Sequence, residues 1–535
     1  MFYVVGSGPA GVSCAKALLE RGEEVTMLDA GIGLDEDIAR RVDEVGSSPP
    51  KEWRDPKTIS GAIVAAMKEA VKPKNGKIET KLVFGSDYPY RDSEKLLHIT
   101  QKGSCCKPSL GNGGFSAAWG AAVLPYPKED MCDWPFKAEE LEPYYRKVAG
   151  FMDMTGEDDG LLELFPLFTD SPQPHRKSRQ AEALLKDMAR NRDALKKSGI
   201  MFGASRLAVR TIERDGKPGC AYCGLCMYGC PYDLIYNSSS TLDELKADPG
   251  FRYESGIIVD RVSEDAGGVV VYGRSLRSGG DVAFTGSKVF LACGAVPSTK
   301  IILASKKAYG VPITMLDSQY FMVPYVRFGG AGNVLKEELH TLAQAFIEVY
   351  DRKISEHLVH LQVYSFNELM LQVVRSRTGP AYPLFRFPVG MFIDRMMLIQ
   401  GFLHSDDSAR ITLTLRKGKG GQDELVLESK PSDTARKVVS KVMWKLIGEQ
   451  GRIGAVPLLP MLDIETPGKS FHYGGSLPMS REPGEWQTDI YGRPEGFRNV
   501  HVVDASVLPS LPAPTVTFAV MANAYRIGAE HDKSS

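Results

Sequence analysis

FYVVGSGPAGVSCAKALLERGEEVTMLDAG, residues 2–31, reads as strand, tight turn, helix and second strand. Val4 and Val5 lie in the first strand, residues 10–20 form a helix with few breakers, and VTMLD (25–29) forms the second strand. Gly6, Gly8 and Gly11 spell G-x-G-x-x-G. In such a unit the first glycine permits the turn, the second lets the backbone approach a pyrophosphate, and the third lets the helix pack on the strand. The helix N-terminus, opened by Pro9 and Ala10, turns free N–H groups and a positive dipole end toward the phosphates. Asp29 closes the second strand 18 residues after Gly11, where a carboxylate can accept from ribose hydroxyls. A lone glycine motif is weak, but strand, helix and acid agree here. They specify a dinucleotide without separating FAD from NAD.

The chain has 535 residues and 43% hydrophobic content, enough for a large core and two or more lobes. Its 65 Lys and Arg nearly cancel its 66 Asp and Glu. That balance argues against nucleic acid as the main partner. No stretch reaches the roughly eighteen apolar residues of a spanning helix, so no transmembrane segment is expected. A strand at the N-terminus in place of a charged leader predicts a cytoplasmic protein, with export on a signal-bearing partner as the alternative.

Further along, a glycine-rich loop GNGGFSAAWGA (111–121) precedes DWPFKAEELEPYYRKVAGFM (133–152), read as a helix with Pro135 near its start. GIIVDRV, GGVVVYGRS and DVAFTG (256–286) alternate as antiparallel strands, and KVFLACGAVPSTKIILAS (288–305) is again strand, glycine turn and helix. Residues 306–465 mix strand-like runs (HLVHLQVYSF, MLIQGFLH, ARITLTLR) with a helix over 432–451. FPVGMFIDRMMLIQGF (387–402) reads as buried sheet and helix of that lobe, with a membrane-facing cover of a substrate entrance as the alternative.

Of nine cysteines, four fall within eleven residues: Cys220, Cys223, Cys226 and Cys230, followed by Pro231. This C-x2-C-x2-C-x3-C-P run is that of bacterial ferredoxins, and close thiolates on a turning loop can hold an iron–sulfur cluster. Zinc favours two separated pairs, and disulfides do not suit a reducing compartment. Zinc, or no metal at all, stands as the alternative. Cys105 and Cys106 precede the glycine loop and read as buried thiols, with an approach to the flavin as the second reading.

GSGPAG (6–11), GGFSAAWGA with DWPFKAEELEPYY, FLACGAVPSTKIILAS, FHYGGSLPM (471–479), and VVDASVLPS with PTVTFAVMANAYRI (502–527) together resemble the glucose–methanol–choline (GMC) oxidoreductases, in family order over nearly the whole chain. The resemblance implies an α/β fold. A discontinuous Rossmann-type FAD-binding domain (1–305 and 466–535) would carry an α+β substrate lobe (306–465) built on an antiparallel sheet. It implies Gly6, Gly8, Pro9, Ala10 and Gly11 at the phosphates, Asp29 at the ribose, Gly114 and Trp119 near the flavin, and Val259, in the strand after Gly256, at the adenine. Ala292 and Gly294 make a second backbone contact, Asp504 and Ala505 reach the pyrophosphate or ribityl chain, and Pro514 and Thr515 the isoalloxazine. His472 is the implied base. The family's second polar residue, before Pro-x-x-Thr, is Ala513 here, ahead of Pro514 and Thr517. Either another group, Tyr473 or a residue of the second lobe, then supplies the missing hydrogen bond, or the substrate is activated differently, with an altered or weakened activity as the further alternative. Cys220, Cys226 and Cys230 reproduce the C-x5-C-x3-C-P loop of bacterial sugar dehydrogenases with a [3Fe–4S] cluster, and Cys223 would complete a [4Fe–4S] site.

The expected function is FAD-dependent oxidation of a CH–OH group of a sugar, polyol or sugar-containing metabolite. Electrons would leave through the cluster to an acceptor protein or quinone-linked carrier. The alternatives are an oxygen-using oxidase without a cluster and a flavin-binding protein that has lost turnover.

Overall fold

The computed structural model describes residues 1–71, 83–214, 216–379, 390 and 392–533. The opening stretch folds as read: strand Phe2–Val5, helix Pro9–Glu20, strand Val25–Asp29. Both strands are buried throughout, as parallel strands covered on two faces must be. They lie at the centre of a five-stranded parallel sheet ordered 500–502, 288–291, 2–5, 25–29 and 251–255. The helix Thr517–Glu530 packs on Pro9–Glu20, and Gly528 permits the approach: a Cβ there would stand 2.8 Å from the Cys14 carbonyl oxygen. Thus the last helix of the chain covers the first.

Strands Ile257–Asp265, Gly268–Ser275 and Asp281–Gly286 form a small antiparallel sheet, as their alternation predicts. The stretch 133–152 differs from its reading. Its α-helix spans only Glu142–Ala149, after a short 3₁₀ turn Ala138–Glu140. The proline at the helix start is Pro143. Trp134 and Phe136 instead enter the core, packed edge to face with ring centroids 5.6 Å apart.

Strands within the expected second lobe, joined by 200–204 from outside its expected bounds, form a seven-stranded antiparallel sheet with the path 455–457, 320–327, 396–402, 359–365, 345–349 and 200–204, the strand 463–464 pairing beside 320–327. Period-two alternation gives each strand two faces. Val359, Leu361 and Val363, with Ala345, Ile347, Met397 and Ile399, pack under helices Arg179–Ala189 and Asp433–Gly448. His360, Gln362, Tyr364 and Phe402 point the other way. A second sheet of five strands joins 473–474, 312–317, 410–417, 423–429 and 99–102. Residues 387–389 and 391 lie outside the described residues, while 396–402 is the strand named above. No helix among the described residues is long and apolar enough to cross a membrane.

Candidate flavin site and active site

A cavity with about 1210 Å³ of empty space, part of it open to solvent, runs along the carboxyl ends of the central parallel strands, where ligands of open α/β sheets bind. Gly6, Gly8, Pro9, Ala10, Asp29, Gly114, Val259, Ala292, Gly294, Asp504 and Ala505 line it. Gly6 takes φ +101°, and a Cβ there would meet the Ala292 carbonyl oxygen at 2.7 Å. Gly11 lies beneath the cavity: a Cβ would stand 1.9 Å from the Gly6 carbonyl oxygen, so only glycine lets the helix close on the turn. Gly8 faces Gly114 across the opening, and a Cβ on Gly114 would come within 3.0 Å of the Gly8 Cα. The two glycine loops therefore touch through bare backbone, leaving a cradle that the phosphates and ring of a dinucleotide fit.

Asp29 is buried. Its Oδ2 accepts from Ser7 Oγ and, at 2.9 Å, from Tyr253 Oη. Burial outweighs these donors and raises its carboxyl to about 6. Ser7 Oγ in turn accepts the Gly113 N–H at 3.0 Å, tying the first turn to the second glycine loop. At the far side Asp504 accepts the Gly294 N–H (2.9 Å), the Ser506 N–H (2.9 Å) and the Ser298 hydroxyl. It thereby fixes the N-terminus of helix Ala295–Ser305 against the cavity. Burial raises its carboxyl too.

Four expected cofactor residues do not line the cavity. One is Gly11, for the reason given. Trp119 Nε1 donates to the Tyr236 carbonyl at 2.8 Å and its ring turns toward Tyr236. Thr515 Oγ1 donates to the Ala122 carbonyl at 2.8 Å, and Pro514 is buried in the adjoining loop, so Val516 and Thr517 take the lining positions. Sequence reasoning missed Leu97, Ser109, Leu110, Phe115 and Phe471, which complete the wall. Phe115 and Phe471 stand edge-on at 5.0 Å. Only the aromatic in FHY adjoining the expected base could have signalled this.

His472 follows Phe471, whose φ of 63° is a left-handed conformation rare outside glycine. The turn is held from behind. Buried Asp317 accepts the Gly468 N–H at 3.0 Å and the Ser470 hydroxyl at 3.1 Å, and burial raises its carboxyl to about 7. The Ser470 Oγ then accepts the His472 N–H at 3.0 Å. The imidazole stacks on Phe402 of the second lobe, ring centroids 4.9 Å apart. The neighbouring Tyr473 hydroxyl donates to the Lys107 carbonyl at 3.0 Å, facing away from His472. Ala513 is fully buried in the apolar core.

Beside Phe402, the sheet's inner face carries a hydrogen-bonded row that the sequence reading did not isolate. His360 Nδ1 lies 2.7 Å from Glu348 Oε1, Gln362 Nε2 donates to His360 Nε2 at 3.2 Å, and the Tyr364 hydroxyl donates to Gln362 Oε1 at 2.9 Å. The donors are assigned from the network. Its signal is the alternate positions of VHLQVYS, polar where a core-facing sheet would be apolar.

Cys220, Cys223, Cys226 and Cys230 carry no disulfide. Burial and mutual repulsion raise all four thiols, Cys226 and Cys230 to about 11. Backbone N–H groups aim at the sulfurs: Leu234 at Cys230 (3.5 Å), Thr341 at Cys226 (3.4 Å), Tyr222 at Cys220 and Leu225 at Cys223. Positive φ at Tyr222, Gly224 and Gly229 wraps the loop. No three of these sulfurs gather within 4.8 Å of one another. One tetrahedral zinc would hold its thiolates about 3.8 Å apart. A centre of several irons spaces them wider. Cys106 is buried against Gly468, and neither it nor Cys105 lines the cavity.

Residues 455–524 match the GMC oxidoreductase family. The chain superposes on pyridoxine 4-oxidase from Mesorbium loti with a TM-score of 0.60 at 16% identity, over 100% of this chain and 99% of that one. Formate oxidase gives a TM-score of 0.60 at 13% identity, over 99% of this chain and 97% of that one. These likenesses establish a shared fold. No curated protein matches the sequence. The GMC resemblance read from the motifs is borne out over residues 455–524, and the α/β, Rossmann-type fold by the two structural likenesses.

Proposed function

We propose that this protein, a GMC-type oxidoreductase, binds FAD in the cavity above the parallel sheet and oxidises a CH–OH group, with His472 as the base. The observation that carries the reading is the convergence of the glycine cradle, Asp29 and Asp504 on one cavity that Phe471 and Tyr473, the residues on either side of His472, also line. FAD, when bound, accepts a hydride from the alcohol carbon. The protein has the remaining work. A ring nitrogen of His472 takes the hydroxyl proton, since a neutral imidazole titrates near the working pH. The Asp317–Ser470 brace holds the His472 backbone, and the Phe402 ring packs on its imidazole. Tyr473 is committed to Lys107 and Ala513 has no polar atom, so the second hydrogen bond to the substrate is assigned to the second lobe. There Gln362 and Tyr364 carry amide and hydroxyl groups suited to a sugar, polyol or sugar-containing substrate, which would trade their present bonds within the row for it.

The four-cysteine loop favours an iron–sulfur cluster held by Cys220, Cys223, Cys226 and Cys230. Four half-buried thiols gathered on one turning loop, with backbone N–H groups aimed at their sulfurs, suit thiolate ligation of such a centre. A cluster there would supply one-electron chemistry, which suits a dehydrogenase with a protein or quinone-linked acceptor. The contact from Trp119 to Tyr236, six residues past Cys230, joins the glycine loop to this region. The competing reading is an oxidase, in keeping with the named activities of the two structural neighbours. Anaerobic purification with iron and acid-labile sulfide assays separates them. The proposal expects about one cluster per chain, lost in Cys226→Ser. Iron-free protein that turns substrate into stoichiometric peroxide would establish the oxidase.

A further inference from the structure

We propose that Asp130, His357 and His404 form a binding site for a divalent first-row metal ion of the zinc type, separate from both the flavin cavity and the cysteine loop. One donor atom from each of the three lies within 4.8 Å of the others, the only such trio among the described residues. Asp130 Oδ1 is 2.8 Å from His357 Nδ1 and 4.0 Å from His404 Nε2. These spacings bracket the roughly 3.4 Å between adjacent nitrogen ligands on a tetrahedral zinc. Two buried atoms have no hydrogen-bond partner here, and both belong to the trio: Asp130 Oδ2 and His404 Nε2. The Asp130 and His404 side chains are 3% and 1% exposed, so neither atom is satisfied by bulk water. A buried, unsatisfied carboxylate oxygen and an imidazole nitrogen in one cluster are donors an ion would satisfy.

The far ends of both rings point at a second carboxylate. Asp406 Oδ2 stands 3.3 Å from His357 Nε2 and 3.6 Å from His404 Nδ1. Metal-bound histidines hand their other N–H to such a group, which fixes the tautomer and the ring orientation. His404 Nδ1 now accepts the Asp406 N–H at 3.1 Å. Ligation through Nε2 puts the proton on Nδ1, where the Asp406 carboxylate accepts it. The two rings stack at 3.5 Å with planes 14° apart, so ligation of one ion by both would turn their edges toward each other. Two imidazoles and one carboxylate select a borderline ion such as zinc over calcium or magnesium, which prefer all-oxygen sets.

The site ties three segments together: the turn Lys128–Met131, the approach to strand Val359–Ser365, and the turn Ser405–Asp407. The last of these exchanges hydrogen bonds with Leu511, through its carbonyl (2.9 Å) and its N–H (3.1 Å), in the loop that leads to Pro514 and Thr515. Ser510 also donates to the Asp130 carbonyl, at 3.1 Å. An ion here would brace the loop that runs to the flavin cavity.

The test treats flavin-loaded full-length protein with a chelator, dialyses it against Zn²⁺, and measures zinc per chain in wild type, His404→Ala and Asp130→Asn. The expected result is one zinc in wild type that both variants lose, with the flavin spectrum unchanged. Zn²⁺ should raise the melting temperature of wild type alone. Zinc held by the cysteine loop would remain in all three proteins, so equal zinc in wild type and variants overturns the site. The trio would then be an imidazolium shared by two carboxylates. If His404→Ala does not fold, His357→Gln takes its place with the same two outcomes.

Discussion

Asp29 and His472 are the two residues on which the proposed cofactor binding and chemistry turn. Asp29 is an acid whose folded pKa, about 6, stands above its ordinary 3.8 because it is buried. In flavin-free protein its favourable contribution is therefore present below the ordinary value and lost as pH rises through about 6. Flavin binding runs the other way, because ribose hydroxyls donate to the ionised carboxylate. FAD affinity is expected to fall as pH drops through about 6, and Asp29→Asn should flatten that dependence; equilibrium dialysis of FAD across pH 5–8 checks it. His472→Ala should keep the flavin and slow its reduction by substrate by about 10²–10⁴-fold, the usual worth of a positioned base. Anaerobic stopped-flow absorbance reads that rate directly. Both residues were legible in the sequence through their motifs. Asp317 and the Glu348–His360–Gln362–Tyr364 row were not, because an isolated buried acid and a polar inner sheet face acquire meaning only when distant segments meet.

Among the elements, the glycine turn is the least forgiving. Gly11→Ala places a methyl group 1.9 Å from the Gly6 carbonyl oxygen, with backbone on both sides and no flexible side chain to yield. At least about 3 kcal/mol of destabilisation is expected, with loss of flavin. Thermal unfolding followed by flavin release measures both. The same turn was readable in full because strand, turn and helix are contiguous. The stretch 133–152 was not: its charge gradient suggests one long helix, yet Trp134 and Phe136 bury their rings and leave only Glu142–Ala149 helical. Local pattern yielded to tertiary packing there. The strands near 257–286 and 357–417 followed their alternation, but alternation does not say which sheet a strand joins. ARITLTLR entered a different sheet from HLVHLQVYSF and MLIQGFLH.

At the scale of the whole molecule, the order of the blocks revealed the architecture and the long-range pairings remained hidden. Strand Ile200–Ala204 closes the edge of the second-lobe sheet, and Ile99–Lys102 runs parallel to Asp423–Ser429, more than 300 residues away. Such pairings have no local signature. They place His472 of the C-terminal segment on Phe402, the junction at which we propose that substrate binds. The central claim is that this junction, with bound FAD, removes hydrogen from a CH–OH group using His472. Its most direct test is anaerobic mixing of the FAD-loaded protein with a panel of sugars, polyols and alcohols, followed by the visible flavin spectrum. The account predicts rapid bleaching by at least one polyhydroxylated compound and its near loss in His472→Ala; a flavin that no member of the panel bleaches, or that bleaches equally fast in His472→Ala, would contradict it.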